Sequence, residues 1–293
     1  MIVHRRGLLA AGLGAAGAGL LGGCDRFAGT EAGQRTLRAG EDANRYVQRL
    51  LMSPATLARE FPDAMISSTF KPNGTIDPPD RSYKAMARRK FVDFRLEVGG
   101  LVEHPLKLSL DELRALPSRT QITRHDCVEG WSCIGKWTGV PLRELLQRSG
   151  LKPNARYVVF HCADTMEGGE AGTDETNNPQ MEQRGQANQS ATGGSQDGET
   201  GDGEQAGTQP VRYYETIDLT DAHHPQTILA YEMNGSPLPV AHGAPLRLRL
   251  ERQLGYKMAK YVTRLEVVES YVGVGEGRGG YWKDRGYDWY AGI

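Results

Sequence analysis

A cysteine at the end of an alternating segment is the first chemistry the chain offers. In the run Arg124-His125-Asp126-Cys127-Val128-Glu129-Gly130-Trp131, Cys127 stands where a strand-like pattern gives way to a glycine, with Trp131 and Trp137 nearby. A thiolate is a soft ligand suited to thiophilic metals, and small neighbours let a bulky group approach it. Three other segments carry charge or tight backbone. Ala241-His242-Gly243-Ala244-Pro245-Leu246-Arg247 reads as a turn with a cation behind it. Leu254-Gly255-Tyr256-Lys257-Met258-Ala259-Lys260 sets two lysines three apart after a glycine, and Phe70-Lys71-Pro72-Asn73-Gly74 is a polar loop. Arginine can clamp a phosphate bidentately, lysine holds it as a point charge, and either lowers the pKa of a neighbouring thiol. Each signal is weak alone. A lone cysteine is commonly buried and inert, and arginines alternating with Leu246, Leu248 and Leu250 ordinarily line a solvated face.

These residues need elements to hold them. Phe91 to Val98 mostly alternates and ends at Gly99-Gly100, which predicts a strand and turn. Ser109-Leu110-Asp111-Glu112 is a capping box opening a short helix that Pro117 closes. Thr120 to Val128 reads as a strand, Pro141 starts a helix that stops at Gly150, and Tyr157 to Phe160 is a buried strand leading to Cys162. Strands are further predicted at Tyr213 to Asp218 and Tyr261 to Val268. Ile228 to Met233, Asn234-Gly235 and Leu238 to Val240 read as a hairpin. Ahead of these, Thr30 to Gly40 reads as a polar tether, Glu41 to Met52 as a helix, Ser53-Pro54 as the start of another, and Phe61 to Tyr83 as a long loop. The sum is an α+β, strand-rich mixed-sheet domain.

The 293 residues are 39% hydrophobic, enough for a real core, and the formal net charge of -1 alone argues for no nucleic-acid or membrane-surface partner. The start of the chain is an export signal over residues 1–23. Arg5-Arg6 precede an apolar run from Leu8 to Leu21 that is too short and glycine-rich to favour a permanent span. The paired arginines resemble a twin-arginine signal, which exports proteins already folded around a cofactor. Leu21-Gly22-Gly23-Cys24 resembles a lipoprotein box, so a lipid anchor on Cys24 is expected, on the periplasmic side of the inner membrane. Cys127, Cys133 and Cys162 then remain, an odd number that leaves at least one thiol unpaired or ligated. No Cys-x-x-Cys or phosphate-binding Gly-Lys-Ser/Thr occurs, and no Gly-x-Gly-x-x-Gly directly follows a predicted strand.

Residues 166–210 differ in kind, with ten glycines and nine acids against one base. Such a stretch cannot bury enough surface to offset its ordering entropy, so a disordered insertion is expected. Its negative charge leaves a positive surplus on the rest of the chain, suited to an anionic ligand. The expected organisation is a tether and N-terminal helices over 24–60, a catalytic domain over 61–275 interrupted by 166–210, and a glycine- and aromatic-rich tail over 276–293.

Three ordered motifs, Cys-Val-Glu-Gly-Trp-x5-Trp-x-Gly-Val-Pro-Leu from Cys127, His-Gly-Ala-Pro-Leu-Arg from His242 and Gly-Tyr-Lys-x-x-Lys from Gly255, resemble the molybdopterin-binding domain of the sulfite-oxidase family. The likeness runs from about Phe91 to Val268. It is nearest to single-domain bacterial members akin to the periplasmic protein-methionine-sulfoxide reductase catalytic subunit. The resemblance implies a molybdenum–molybdopterin cofactor and two-electron oxygen-atom transfer on a sulfur or nitrogen oxide or a sulfite-like substrate. It implies Cys127 as the metal ligand, His242 against the pterin, Arg247 as pterin or phosphate clamp, and Gly255, Tyr256, Lys257 and Lys260 around the phosphate. Cys162 stands where the reductase relative has a Thr near the cofactor, and Phe70, Asn73 and Gly74 are candidates from the N-terminal loop. Tyr214, Glu215 and the tail Gly279 to Arg285 are candidates for the substrate mouth. Electrons would pass to or from a separate carrier, a membrane or soluble cytochrome, because the chain has no haem, flavin or iron–sulfur motif. A thiol-redox or copper-handling lipoprotein using Cys127 and Cys133 is the rival reading, and a non-catalytic binding module a further one.

Overall fold

A computed structural model describes residues 27, 30–166 and 211–293. The predicted export signal, Cys24 and nearly all of the predicted insertion lie outside the described residues.

Two sheets make the body. The first has strand order β2-β1-β10-β5-β6, with β1 (Leu96–Gly100), β2 (Leu106–Leu108), β5 (Tyr157–Thr165), β6 (Arg212–Asp218) and β10 (Val262–Val268). Only the β1–β10 pair is parallel. The second runs β3 (Arg119–Asp126), β4 (Ser132–Pro141), β7 (Ile228–Met233) and β8 (Ser236–Pro237), with β9 (Arg247–Arg249) also paired to β7. Apolar residues of both sheets, among them Leu96, Val98, Phe160, Leu248 and Leu265, share one large core; Phe70, Trp137, Ile228 and Met233 form a smaller one. Short helices cover the flanks: α2 (Arg81–Arg88), α3 (Leu110–Ala115), α4 (Leu142–Ser149), α5 (Leu219–Ala222) and α6 (Tyr281–Asp284). A longer one, α1 (Glu31–Leu51), precedes them all.

Local chemistry explains many of the boundaries. Both halves of the Ser109–Glu112 capping box are present at α3. Gly150 ends α4 with φ 65°, and Asn234 and Gly235 turn the β7–β8 hairpin with φ 52° and 78°. The N-terminal region departs from expectation. Residues 31–40 are helical rather than a tether: Thr30 caps Gly33 N at 3.0 Å, and the polar side of α1 is tied to the C-terminal tail. Those contacts outweigh the cost of Gly33 and Gly40 in a helix, about 1 kcal/mol each. Ser53-Pro54 starts no helix, because the Gln226 side chain bonds both Ala58 N and Ala58 O and holds the chain extended. The strand predicted from Phe91 begins only at Leu96, after Lys90 and Phe91 turn the chain with φ 54° and 58°.

Candidate active site

Cys127 leaves the end of β3 and enters a tight turn. Its N–H donates to Trp131 O at 2.9 Å, Gly130 N donates to Cys127 O at 3.0 Å, and Gly130 has φ 86°, a conformation for which glycine is the natural residue. The thiol is 8% exposed, free of any disulfide, and lines a cleft enclosing about 770 Å³, solvent at the mouth included. Asn73, Gly74, Asp164, Tyr213, Gly255, Tyr256 and Lys260 share the wall, and Trp282 and Tyr287 of the tail close one side. Burial raises the Cys127 thiol pKa, while backbone N–H groups of the turn and the Lys71 charge pull it back.

Behind this wall lies a sealed cluster of rings and cations. Phe70 packs edge-on to Trp137 and His242, at 5.3 and 5.6 Å, and lies 5.7 Å from His125. Arg249 and Arg247 place their guanidiniums 4.4 and 4.9 Å from the Trp137 ring centre. The solvated face expected for these two arginines is not found, since both are 0% exposed. Their strand is wrapped on both sides. Arg249 is neutralised by Glu251 through bonds of 2.9 and 2.7 Å. Arg247 has no such partner: Nη1 donates to His242 O at 3.1 Å, while Nε and Nη2 meet no acceptor among the described residues. His242 Nδ1, His125 Nε2 and Trp137 Nε1 are likewise unpartnered. Burial, then repulsion from Arg249, lowers the Arg247 pKa to about 9.

A buried cation with idle donors is costly unless an anion meets it. Gly243 lets Lys260 and Arg247 pack close to its backbone, since a Cβ there would stand 2.9 Å from Lys260 Cβ and 3.2 Å from Arg247 Cβ. Gly255 is as constrained, for its Cβ would lie 2.4 Å from His125 Nε2. Idle buried donors on one side and a thiol on an open cleft on the other suit a group with an anionic end and a thiophilic metal. The residues fit molybdopterin.

Other expected residues lie elsewhere. Lys257 does not reach the cleft: its amine donates to Glu215 Oε1 at 2.7 Å and Thr216 O at 2.8 Å. Glu215 is no mouth residue either, being 0% exposed and shared between Lys257 and Lys283 of the tail. Tyr214 turns its hydroxyl under the tail, donating to Asp284 Oδ2 at 2.6 Å, and Cys162 is sealed in the main core at 2% exposure. The cleft residues the sequence reading missed are their neighbours. Tyr213 donates to Tyr256 O at 2.5 Å, and Asp164 keeps Oδ1 unpartnered, with burial raising its pKa against the pull of Lys260. Lys260 is held by Ala241 O at 3.0 Å and by Thr75 O. Cys133 packs against the smaller core and its thiol bonds Thr69 O at 3.7 Å, and no group of three or more potential metal-ligating His, Cys, Asp or Glu side chains occurs among the described residues.

Two expected results follow from these pairings. Glu215→Gln leaves two buried ammoniums without a counter-charge, so urea unfolding should show a loss of about 3–5 kcal/mol. The second concerns pH. Burial, with Arg247 and Lys260 adding repulsion, lowers the His242 pKa from 6.5 to about 4. Between those values the unfolded chain binds a proton that the folded chain refuses, so stability rises with pH there and is lost as pH falls. The urea midpoint of cofactor-free protein should drop between pH 6.5 and 4, and drop less in His242→Gln.

Similarity to known proteins agrees with this geometry. Residues 84–184 and 192–272 match the family described as oxidoreductase molybdopterin binding domain. The chain is 35% identical over 291 residues to the inferred protein-methionine-sulfoxide reductase subunit YedZ1 of Azospira oryzae, covering 98% of this chain and 87% of that protein. It is 34% identical over 187 residues to the protein-methionine-sulfoxide reductase catalytic subunit MsrP of Xanthomonas axonopodis, covering 64% of this chain and 48% of that one. Against the crystal structure of the sulfane dehydrogenase SoxCD from Paracoccus pantotrophus the TM-score is 0.43 at 21% identity, covering 61% of this chain and 39% of that one. The chain belongs to the oxidoreductase molybdopterin-binding family and is a molybdopterin-dependent oxidoreductase.

Proposed function

We propose that this protein is exported by residues 1–23, anchored at Cys24 on the periplasmic face of the bacterial inner membrane, and reduces sulfoxides, methionine sulfoxide foremost. The observation carrying the site assignment is Arg247, sealed with two idle donors one glycine away from Lys260, beside a cleft that Cys127 lines. Cys127 is the thiolate ligand to molybdenum. His242, Arg247 and Lys260 grip the anionic end of the pterin, with Gly255, Tyr256 and Asn73 shaping the walls and Phe70 packed behind them. When bound, the cofactor supplies two-electron exchange of an oxygen atom. Net reduction of a sulfoxide consumes two electrons and two protons and yields a thioether and water. The electrons come from a separate cytochrome carrier.

The chain's own part is to orient the substrate and to hold protons near it. Asp164, whose burial favours the neutral acid, and Tyr213, whose hydroxyl donates to Tyr256 O, are among the proton-bearing groups on the wall. Trp282 and Tyr287 offer apolar surface to a thioether side chain and narrow the access of water. The relatives' names give methionine sulfoxide its priority among possible oxides.

Protein purified from the host that makes it should contain stoichiometric molybdenum and convert methionine sulfoxide to methionine with a reduced dye as donor. Copper in place of molybdenum would sink this reading in favour of a copper-handling lipoprotein. Full molybdenum loading without turnover of any sulfoxide, N-oxide or sulfite would leave a binding module.

A further inference from the structure

Helix α1 is built inside out. Projected along its axis, Glu31, Gln34, Arg35, Arg38, Glu41, Asp42, Arg45, Gln48 and Arg49 fill one arc. Alanines, glycines, Leu37, Tyr46, Val47, Leu50 and Leu51 fill the other, with Thr36 and Asn44 its uncharged polar members. A surface helix normally buries the apolar arc. Here the polar arc faces the domain. Arg49 pairs with Asp218 at 2.7 Å and Asp221 at 3.3 Å, Gln48 donates to Gly292 O at 3.3 Å, and Arg45 lies 5.3 Å from the Trp289 ring centre. Apart from the buried Gly33, the apolar arc is left outward, with Tyr46 69%, Leu50 71% and Leu51 78% exposed. Ala39, Gly40 and Ala43 are exposed on the same side.

We propose that this face lies on the lipid surface of the membrane, with its apolar side chains at the boundary between headgroups and acyl chains. The inference rests on the export and anchoring reading above and adds an orientation to it. Three observations favour lipid over another occupant. Crossing is ruled out for α1, since its charged arc leaves no apolar span, and no helix among the described residues is long and apolar enough to cross a membrane. An amphipathic helix that cannot cross is suited to lie in the interface. The chain immediately ahead of α1 holds the apolar run Leu8 to Leu21 and Cys24, and only residues 25–30 separate Cys24 from the helix. Six residues reach at most about 20 Å, so an anchor at Cys24 keeps α1 within reach of the bilayer surface. Finally, the outward arc has no charged residue that a protein partner would have to neutralise. Because α1 is clamped to the domain through Arg45, Gln48 and Arg49, seating it on lipid fixes how the catalytic domain stands on the membrane.

The test is photocrosslinking of the full chain in vesicles of phosphatidylethanolamine and phosphatidylglycerol that carry a diazirine in the acyl chain, with labelled residues mapped by mass spectrometry. Labels are expected on Tyr46, Val47, Leu50 and Leu51, and should fall at least about tenfold in V47E/L50E, each glutamate being costly to bury in lipid. Labels confined to residues before Phe27 would overturn the proposal. So would crosslinks to a second copy or to a membrane protein from a photoreactive side chain placed at Val47 or Leu50 in a companion sample. The N-terminal peptide mass separates the two readings. Labelled α1 without an acylated Cys24 sinks the anchor and keeps the helix on lipid, whereas acylated Cys24 with unlabelled α1 sinks the helix inference alone.

Discussion

Cys127→Ser should abolish turnover while leaving the protein folded and able to hold the pterin. The hydroxyl is nearly isosteric with the thiol, and the side chain sits on a cleft wall at 8% exposure, so the cost to stability should stay within about 1 kcal/mol. The proposed grip on the anionic end of the pterin would run through Arg247, His242 and Lys260, none of which is touched. What is lost is the soft anionic donor, because serine does not ionise at neutral pH and is a poor ligand for a thiophilic metal. A fall in kcat of at least ~10³-fold is expected, equivalent to about 4 kcal/mol of transition-state stabilisation. The paramagnetic molybdenum resonance should change in the same variant. Cys133→Ser is the discriminating control. The Cys133 thiol bonds a backbone oxygen at 3.7 Å and should be dispensable, whereas a thiol-redox or copper site built on both cysteines would fail equally in either variant. An unchanged resonance in Cys127→Ser would remove Cys127 as ligand outright.

The same thiol carries a pH consequence. Burial raises its pKa, so in the absence of metal the proton stays on at neutral pH and binding must displace it. Retention of molybdenum should therefore weaken as pH falls.

The Cys127 turn was legible because its cause is local: a strand end, a positive-φ glycine and two tryptophans lie within a few residues of one another. So were the capping box at Ser109, the stop at Gly150 and the Asn-Gly hairpin, each set by the backbone chemistry of one or two residues. Residues chosen by strand phase were not legible. In β6, Tyr213, Tyr214 and Glu215 are all buried, and in β5 so are Cys162, Ala163 and Asp164. Where both faces of a strand are covered, hydrophobic alternation vanishes and the sequence no longer says which side chain meets the cleft. The pairing of Phe160 with Glu215 and His161 with Tyr214 decides it, and that register is a long-range fact. Lys257 and Lys260 were ambiguous for a similar reason. Gly255–Lys257 is a tight single turn and the chain straightens after Met258, so two lysines three apart leave in different directions. The polarity of α1 was visible as periodicity, but which arc faces the domain depends on Trp289, Gly292 and Asp218, all far away in sequence.

Arg247→Met should shift two quantities in opposite directions. In cofactor-free protein the wild-type guanidinium is fully buried and stacked on Trp137, with Arg249 close by and Nε and Nη2 unsatisfied. Glu251 attracts it without bonding to it, because both carboxylate oxygens are already engaged by Arg249. Methionine fills similar volume without charge or idle donors, so the variant should gain about 1–4 kcal/mol in urea unfolding, as replacement of buried charge by packed apolar side chains can. With the pterin present the sign reverses. The anion loses its bidentate partner and remains buried beside His242 and Lys260, which costs about 2–5 kcal/mol, or a fall in cofactor retention of roughly 30- to 4,000-fold. Measuring the urea midpoint of the empty protein and the molybdenum content after gel filtration reads both effects in one preparation. A merely structural arginine would destabilise the empty protein when removed. A higher midpoint together with lost molybdenum is expected only if Arg247 is kept, at a cost to the fold, for the ligand it grips.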